Sequence, residues 1–203
     1  MRRLVLFSIL TVIVSMVYSQ NIEYKYFIKR KSLNDDYFLE LKPATAKDSI
    51  AKATYGERID DRDIFIGYSY SQRIEILHEI LTFQGDTTKS DKLYKIKLPD
   101  LSRVEVKPFT IQIEALYTFS RMLLLAFPEM KPKLTNKKEK ANYNGNQCVV
   151  DEVYAIYRKW LQDAVESDFR DLNLPMSGTK YQWEGQQKIT DKWFIKFHKN
   201  DND

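Results

Sequence analysis

The stretch FTIQIEALYTFSRMLLLAF (109–127) is the most apolar run after the first twenty residues. Its opening residues suit a strand. Its second half predicts a helix that stops at Pro128, because proline lacks the amide hydrogen a helix needs. Projected at about 100° per residue, nearly every face of that helix is apolar, so other elements must cover it on most sides. Glu114, Thr118 and Arg121 are the exception, and their i, i+4, i+7 spacing places them in one line. The plainer reading of this line is a strip facing solvent. The alternative is a set of groups that satisfy one another inside the domain, because a buried charge must be paired. In that case the line is where a ligand would be held.

Around this helix the pattern alternates between strand and helix periods. Ile22, Tyr24, Tyr26 and Ile28 alternate with Glu23, Lys25, Phe27 and Lys29, which predicts one strand with one buried face. YFLELK (37–42) predicts a second strand, with KSLNDD as the hairpin loop between them. TAKDSIAKATYG (45–56) reads as a short helix closed by Gly56, and DIFIGYSY (63–70) as a third strand. SYSQRIEILHEILTF (69–83) reads as an amphipathic helix. Ser69 and Gln72 have the spacing of a capping box, Ile74, Ile76, Leu77, Ile80 and Leu81 share one half of the wheel, and Glu75 and Glu79 face the other way. LYKIKLP (93–99) and RVEVKP (103–108) read as short strands.

The segment PEMKPKLTNKKEKANYNGNQ (128–147), with two prolines and five lysines, reads as a solvated basic loop. CVVDEVYAIYRKWLQDAV (148–165) is the clearest amphipathic helix, with its apolar residues in one half of the wheel. KYQWEGQQKITDKWFIKFHK (180–199) reads as a terminal hairpin turning at Gly185. Its aromatics Tyr181, Trp183 and Trp193 join Glu114, Thr118 and Arg121 as candidate binding residues, able to stack on a sugar or a partner protein. Strands and helices mix without regular βαβ alternation. The expected class is α+β, a single domain (20–203) with a mixed, mostly antiparallel sheet packed with two or three amphipathic helices.

Residues 1–19 read as a cleaved signal peptide. Arg2 and Arg3 give a basic start, Leu4 to Val17 an uncharged apolar run, and Ser19 a small residue at the cleavage site. The run is shorter than the roughly 20 apolar residues a membrane span requires. The expected destination is the periplasm or the exterior, with no stable membrane span after cleavage. Removing nineteen of 203 residues leaves 184, enough for one well-cored domain. It also lowers Lys+Arg from 32 to 30 against 28 Asp+Glu, a formal charge of +2 that gives no support to nucleic-acid binding.

Chemistry-bearing motifs are sparse. Cys148 is the single cysteine, so no intramolecular disulfide forms, and it is expected as a small buried side chain. His78-Glu79 begins a zinc-protease pattern, but Thr82 stands where the second histidine is needed. His78 itself is expected to be half-buried. ERIDDRD (57–63) carries four carboxylates and reads as a solvated turn. No glycine-rich phosphate loop or nucleophile elbow occurs, and no metal or cofactor is expected. The leading functional expectation is an exported, non-enzymatic domain that binds another envelope or secreted protein, in the manner of an immunity or inhibitor protein. A module for a glycan or small apolar ligand and a carboxylate-based envelope hydrolase are the alternatives.

Overall fold

The computed structural model describes residues 21–32, 36–45, 61–92, 109–124, 130–139, 141–170 and 173–186. The segments 1–19, 46–56 and 93–108, and Trp193, lie outside this set, so the signal peptide, the short Ala-rich helix and the two strands expected there are not described. The described chain is a single α+β domain. Its larger sheet has the order β1 (Ile22–Glu23), β2 (Phe27–Lys31), β3 (Tyr37–Leu41), β4 (Lys89–Ser90), β5 (Phe109–Thr110). All neighbours are antiparallel except β3 and β4, which run parallel and meet only at Tyr37 and Ser90.

The alternation over 22–29 hides a turn. Tyr24 donates to the Phe27 carbonyl at 2.8 Å, so β1 and β2 form two strands of a tight hairpin. This breaks the expected single buried face: Tyr26 is buried as expected, but so are Phe27 and Lys29, whereas Ile22 is 49% exposed. The buried Lys29 ammonium is paired with Asp86 at 2.6 Å and donates to Thr88 Oγ at 2.7 Å. Burial alone would push the Asp86 carboxyl up, but the hydrogen bonds from Lys29 and Thr88 outweigh it and hold the group below its usual range.

Residues 63–70 are not a strand. Asp61–Ile66 is a helix, α1, with Ile64 and Phe65 both fully buried. Two consecutive buried side chains cannot share one face of a strand, but they fit the wide inner face of a helix. The helix α2 (Tyr70–Ile80) begins at the expected capping box. Gln72 donates its amide to Ser69 Oγ, and Ser69 donates its amide to the Gln72 side chain. Ile76, Leu77 and Ile80 are buried as the wheel requires, and His78 is exposed rather than half-buried.

The helix α3 (Ile111–Met122) lies at the centre, and every residue from Ile111 to Ser120 is buried. The β3 strand, α1 and α2 cover parts of it. The long helix α4 (Gln147–Glu166) covers another side, where Tyr154 Oη donates to the Gln112 carbonyl at 2.9 Å. Val150, Val153, Tyr154, Tyr157, Leu161 and Ala164 form the buried stripe of α4. Cys148 precedes that stripe in the first turn and is exposed, contrary to the expected burial.

The lysine-rich stretch contains a strand, β6 (Lys131–Asn136), which pairs antiparallel with β7 (Tyr181–Glu184) as a second small sheet. Their register slips between Lys131 and Leu134, and Pro132 occupies the slip, where its missing amide is harmless. Lys131 and Lys133 both pair with Glu184 at 2.7 Å, so two of the five lysines in this stretch share one carboxylate across the sheet. Gly185 ends β7 with a φ of +89°, a conformation that favours glycine.

Candidate functional site

The open edge of β3 is where the polar residues of the core converge. Beyond the Tyr37–Ser90 pair, no strand among the described residues neighbours the inner amides and carbonyls of β3. Side chains take that place. The Leu39 amide donates to Glu114 Oε1 at 2.8 Å, the Leu41 amide donates to Asp61 Oδ1 at 3.3 Å, and Lys92 Nζ donates to the Leu39 carbonyl at 2.7 Å. Buried backbone groups must find partners, and three side chains from α3, α1 and the segment after β4 supply them.

The same three side chains also hold one another. Lys92 forms an ion pair with Asp61 and stands 3.4 Å from Glu114 Oε1. Ser90 Oγ donates to Glu114 Oε2 at 2.6 Å and accepts the Lys92 amide at 3.2 Å. The Glu114 side chain is 0% exposed, Asp61 13% and Lys92 18%. Burial pushes the Glu114 carboxyl up to about 7, although the Lys92 charge and the hydrogen bonds from Ser90 and Leu39 pull the other way; the Asp61 charge adds to the rise. A carboxyl with that affinity exchanges protons readily at neutral pH. Its oxygens, however, face protein donors inside the core rather than a cleft.

The polar line on α3 is therefore an interior feature at its first member, not a strip facing solvent. Thr118 is also buried. Arg121 is half-buried, and its guanidinium lies 5.8 Å from the Tyr117 ring centre. The structure does not gather the three into one constellation: Glu114 faces β3, and Arg121 covers Tyr117 one turn beyond.

Tyr181 and Trp183 sit in the core, with Trp183 fully buried. The Trp183 indole donates to Ser120 Oγ at 3.0 Å and to Tyr157 Oη at 2.9 Å, and those two hydroxyls are 2.5 Å apart. Burial drives the Tyr157 hydroxyl far above the usual phenol range. This cluster binds α3, α4 and β7 together and leaves Trp183 no face for a sugar. Tyr181 Oη donates to Glu152, which ties β7 to α4.

The two glutamates on the polar face of α2 are also engaged. Glu79 accepts the amides of Tyr26 and Phe27, and Glu75 pairs with Lys25 and accepts the Tyr26 hydroxyl at 2.6 Å. Sequence reasoning missed Lys92, Ser90 and Asp61 as partners of Glu114. The only local signal was an unexplained glutamate on an apolar helix.

Among the described residues no group of three His, Cys, Asp or Glu side chains is arranged to hold a metal ion, and no helix is long and apolar enough to cross a membrane. An open groove of about 480 Å³ runs between α2 and α4, lined by His78, Leu81, Arg158, Gln162, Val165 and Glu166. Val165, expected on the buried half of α4, is 38% exposed there. No family model, no curated protein and no solved structure matches this chain.

Proposed function

We propose that the chain is an exported, non-enzymatic domain that binds another envelope or secreted protein, in the manner of an immunity or inhibitor protein. The export rests on the basic, apolar and small-residue layout of residues 1–19. The observation that carries the rest is the commitment of Glu114. The carboxyl best tuned for acid–base work is wholly enclosed and engaged by Leu39, Ser90 and Lys92. Glu79, the next carboxylate of interest, is likewise engaged by backbone amides. These groups serve the fold, which weakens the hydrolase alternative.

The surface offers a recognition feature instead. Leu81 and Val165 give the α2–α4 groove an apolar floor, and Arg158, Gln162, His78 and Glu166 give it a polar rim. An apolar centre with a polar rim is the usual anatomy of a protein interface. The groove is lined from α2, the turn that follows it at Leu81, and α4. The test is affinity capture from envelope extract with the full chain and with a Val165→Asp variant. Recovery of one stoichiometric partner by the parent and its loss with the variant is the expected result. Equal recovery by both, or none by the parent, overturns the proposal.

A further inference from the structure

The side chains that close the β3 edge form an unusual set. An amine, Lys92 Nζ, is held against a carboxyl, Asp61, with a second carboxyl, Glu114, 3.4 Å from the same amine. All three are largely or wholly removed from solvent, and each is fixed by the backbone of β3 through Leu39 or Leu41. We propose that Lys92 and Asp61 condense within the folded domain to an intramolecular isopeptide bond, with Glu114 as the proton carrier.

The atoms balance without any co-reactant. Two protons leave Lys92 Nζ in turn, each taken by Glu114 and passed to Asp61 Oδ2. The nitrogen lone pair attacks Asp61 Cγ, the Cγ–Oδ2 bond breaks, and that oxygen departs as water. One N–H remains on the new amide, and Glu114 returns to its starting state. The developing negative charge falls on Asp61 Oδ1, which already accepts the Leu41 amide at 3.3 Å and so has a preset donor.

Three physical features favour the step. The reacting groups are held together by the fold, which removes the entropy cost of a bimolecular encounter. A Glu114 carboxyl near 7 can both take and return a proton at neutral pH. The product replaces two enclosed charges by a neutral amide, and burying charges is what makes such ion pairs weak contributors to stability. The amide also inherits satisfied partners, its carbonyl facing the Leu41 amide and its N–H facing the Leu39 carbonyl. The bond would span 31 residues from the start of α1 to the strand edge, a covalent staple in a chain whose single cysteine cannot form a disulfide with itself.

Mass spectrometry of the purified full chain decides the matter. The expected result is a branched tryptic product joining the segments that contain Asp61 and Lys92, lighter by one water, about 18 Da, than its two parts. Cleavage after Lys92 should be lost. Linear peptides of full mass at both positions in the folded parent would overturn the proposal. Lys92→Arg keeps the cation but should yield only linear peptides; a branched product in that variant would also overturn it. Glu114→Gln, confirmed as folded by circular dichroism, should remain unlinked, and linkage at the parental level there would remove Glu114 from the role assigned to it. If that variant fails to fold, the parental peptides still decide whether the bond exists, and Glu114→Asp, confirmed as folded in the same way, takes over the test of the carrier. Its shorter arm should slow linkage, and an unchanged rate would remove Glu114 from the role.

Discussion

Glu79 on α2 accepts the backbone amide of Tyr26 through both carboxylate oxygens, at 2.9 and 3.1 Å. The same carboxylate accepts the next amide, that of Phe27, at 3.0 Å. A helix side chain thus holds the turn between β1 and β2, where a plain reading of the alternation saw continuous strand. Glu79→Ala removes a charged acceptor from two adjacent amides and should cost about 2 kcal/mol in urea denaturation. Glu75→Gln, on the exposed side of the same helix, should cost much less. Equal losses at the two positions would mean that the turn does not depend on Glu79.

Glu114 makes stability depend on pH with an unusual sign. Its folded value is raised from 4.5 to about 7, so between these values the folded chain holds the proton more tightly than the unfolded chain does. Stability from this group is therefore full below about 4.5 and falls as pH rises through about 7, by about 3 kcal/mol. Comparing the parent with Glu114→Gln across pH 4 to 8 isolates the effect, because the variant lacks it. The difference between them should shrink as pH rises. Condensation would remove both the Lys92 charge that lowers the Glu114 value and the Asp61 charge that raises it; burial, the largest cause, keeps the sign unchanged. A difference that grows with pH would show that the carboxyl is held low, not high.

Trp183 and Tyr157 give a prediction about packing rather than charge. Trp183→Ala should cost roughly 3–5 kcal/mol, because it opens a cavity beside α3 and leaves Ser120 and Tyr157 without their indole donor. Tyr157→Phe keeps the volume and removes one hydroxyl, for a loss of about 1 kcal/mol. Guanidinium unfolding of both variants measures the ratio. A Trp183→Ala protein as stable as the parent would place the indole on the surface after all.

The parts of the fold visible in the sequence were those whose partners are local. The capping box of Ser69 and Gln72 and the stripe from Val150 to Ala164 depend on residues within a turn or two of each other, and both stand as read. The Glu114 environment could not be read this way. Its partners come from β3, from β4 and from the segment just after it, tens of residues earlier. The β6 strand was hidden for a different reason. Pro132 and its lysines mimic a loop, but a register slip absorbs the proline and Glu184, some fifty residues away, pairs with both Lys131 and Lys133. Residues 63–66 misled because Ile64-Phe65-Ile66 is a continuous apolar run too short to separate a strand from a helix by periodicity.

The end of α4 supplies the last prediction. Asp168 and Phe169 adopt φ values of +55° and +54°, two successive non-glycine residues in the left-handed region. That geometry costs roughly 1–2 kcal/mol per residue and persists only where other contacts impose it. Here the contacts are visible. Tyr70 Oη donates to Asp168 Oδ1 at 2.7 Å, the Phe169 amide donates to the Ala164 carbonyl at 2.7 Å, and the buried Phe169 ring packs edge-on against Tyr70 and Trp160. Burial first, and then the Asp168 carboxylate, push the Tyr70 hydroxyl up to about 12. Asp168→Asn keeps an acceptor and a residue that tolerates this backbone, so its stability should match the parent within about 0.5 kcal/mol. Asp168→Val loses the acceptor and adds a branched Cβ, and should destabilise by about 2 kcal/mol. Asp168→Gly relieves the backbone while losing the Tyr70 contact, and should fall between the two. Thermal unfolding of the three variants sets the order. If Asp168→Val proved the most stable, the left-handed pair would not be what joins the end of α4 to α2.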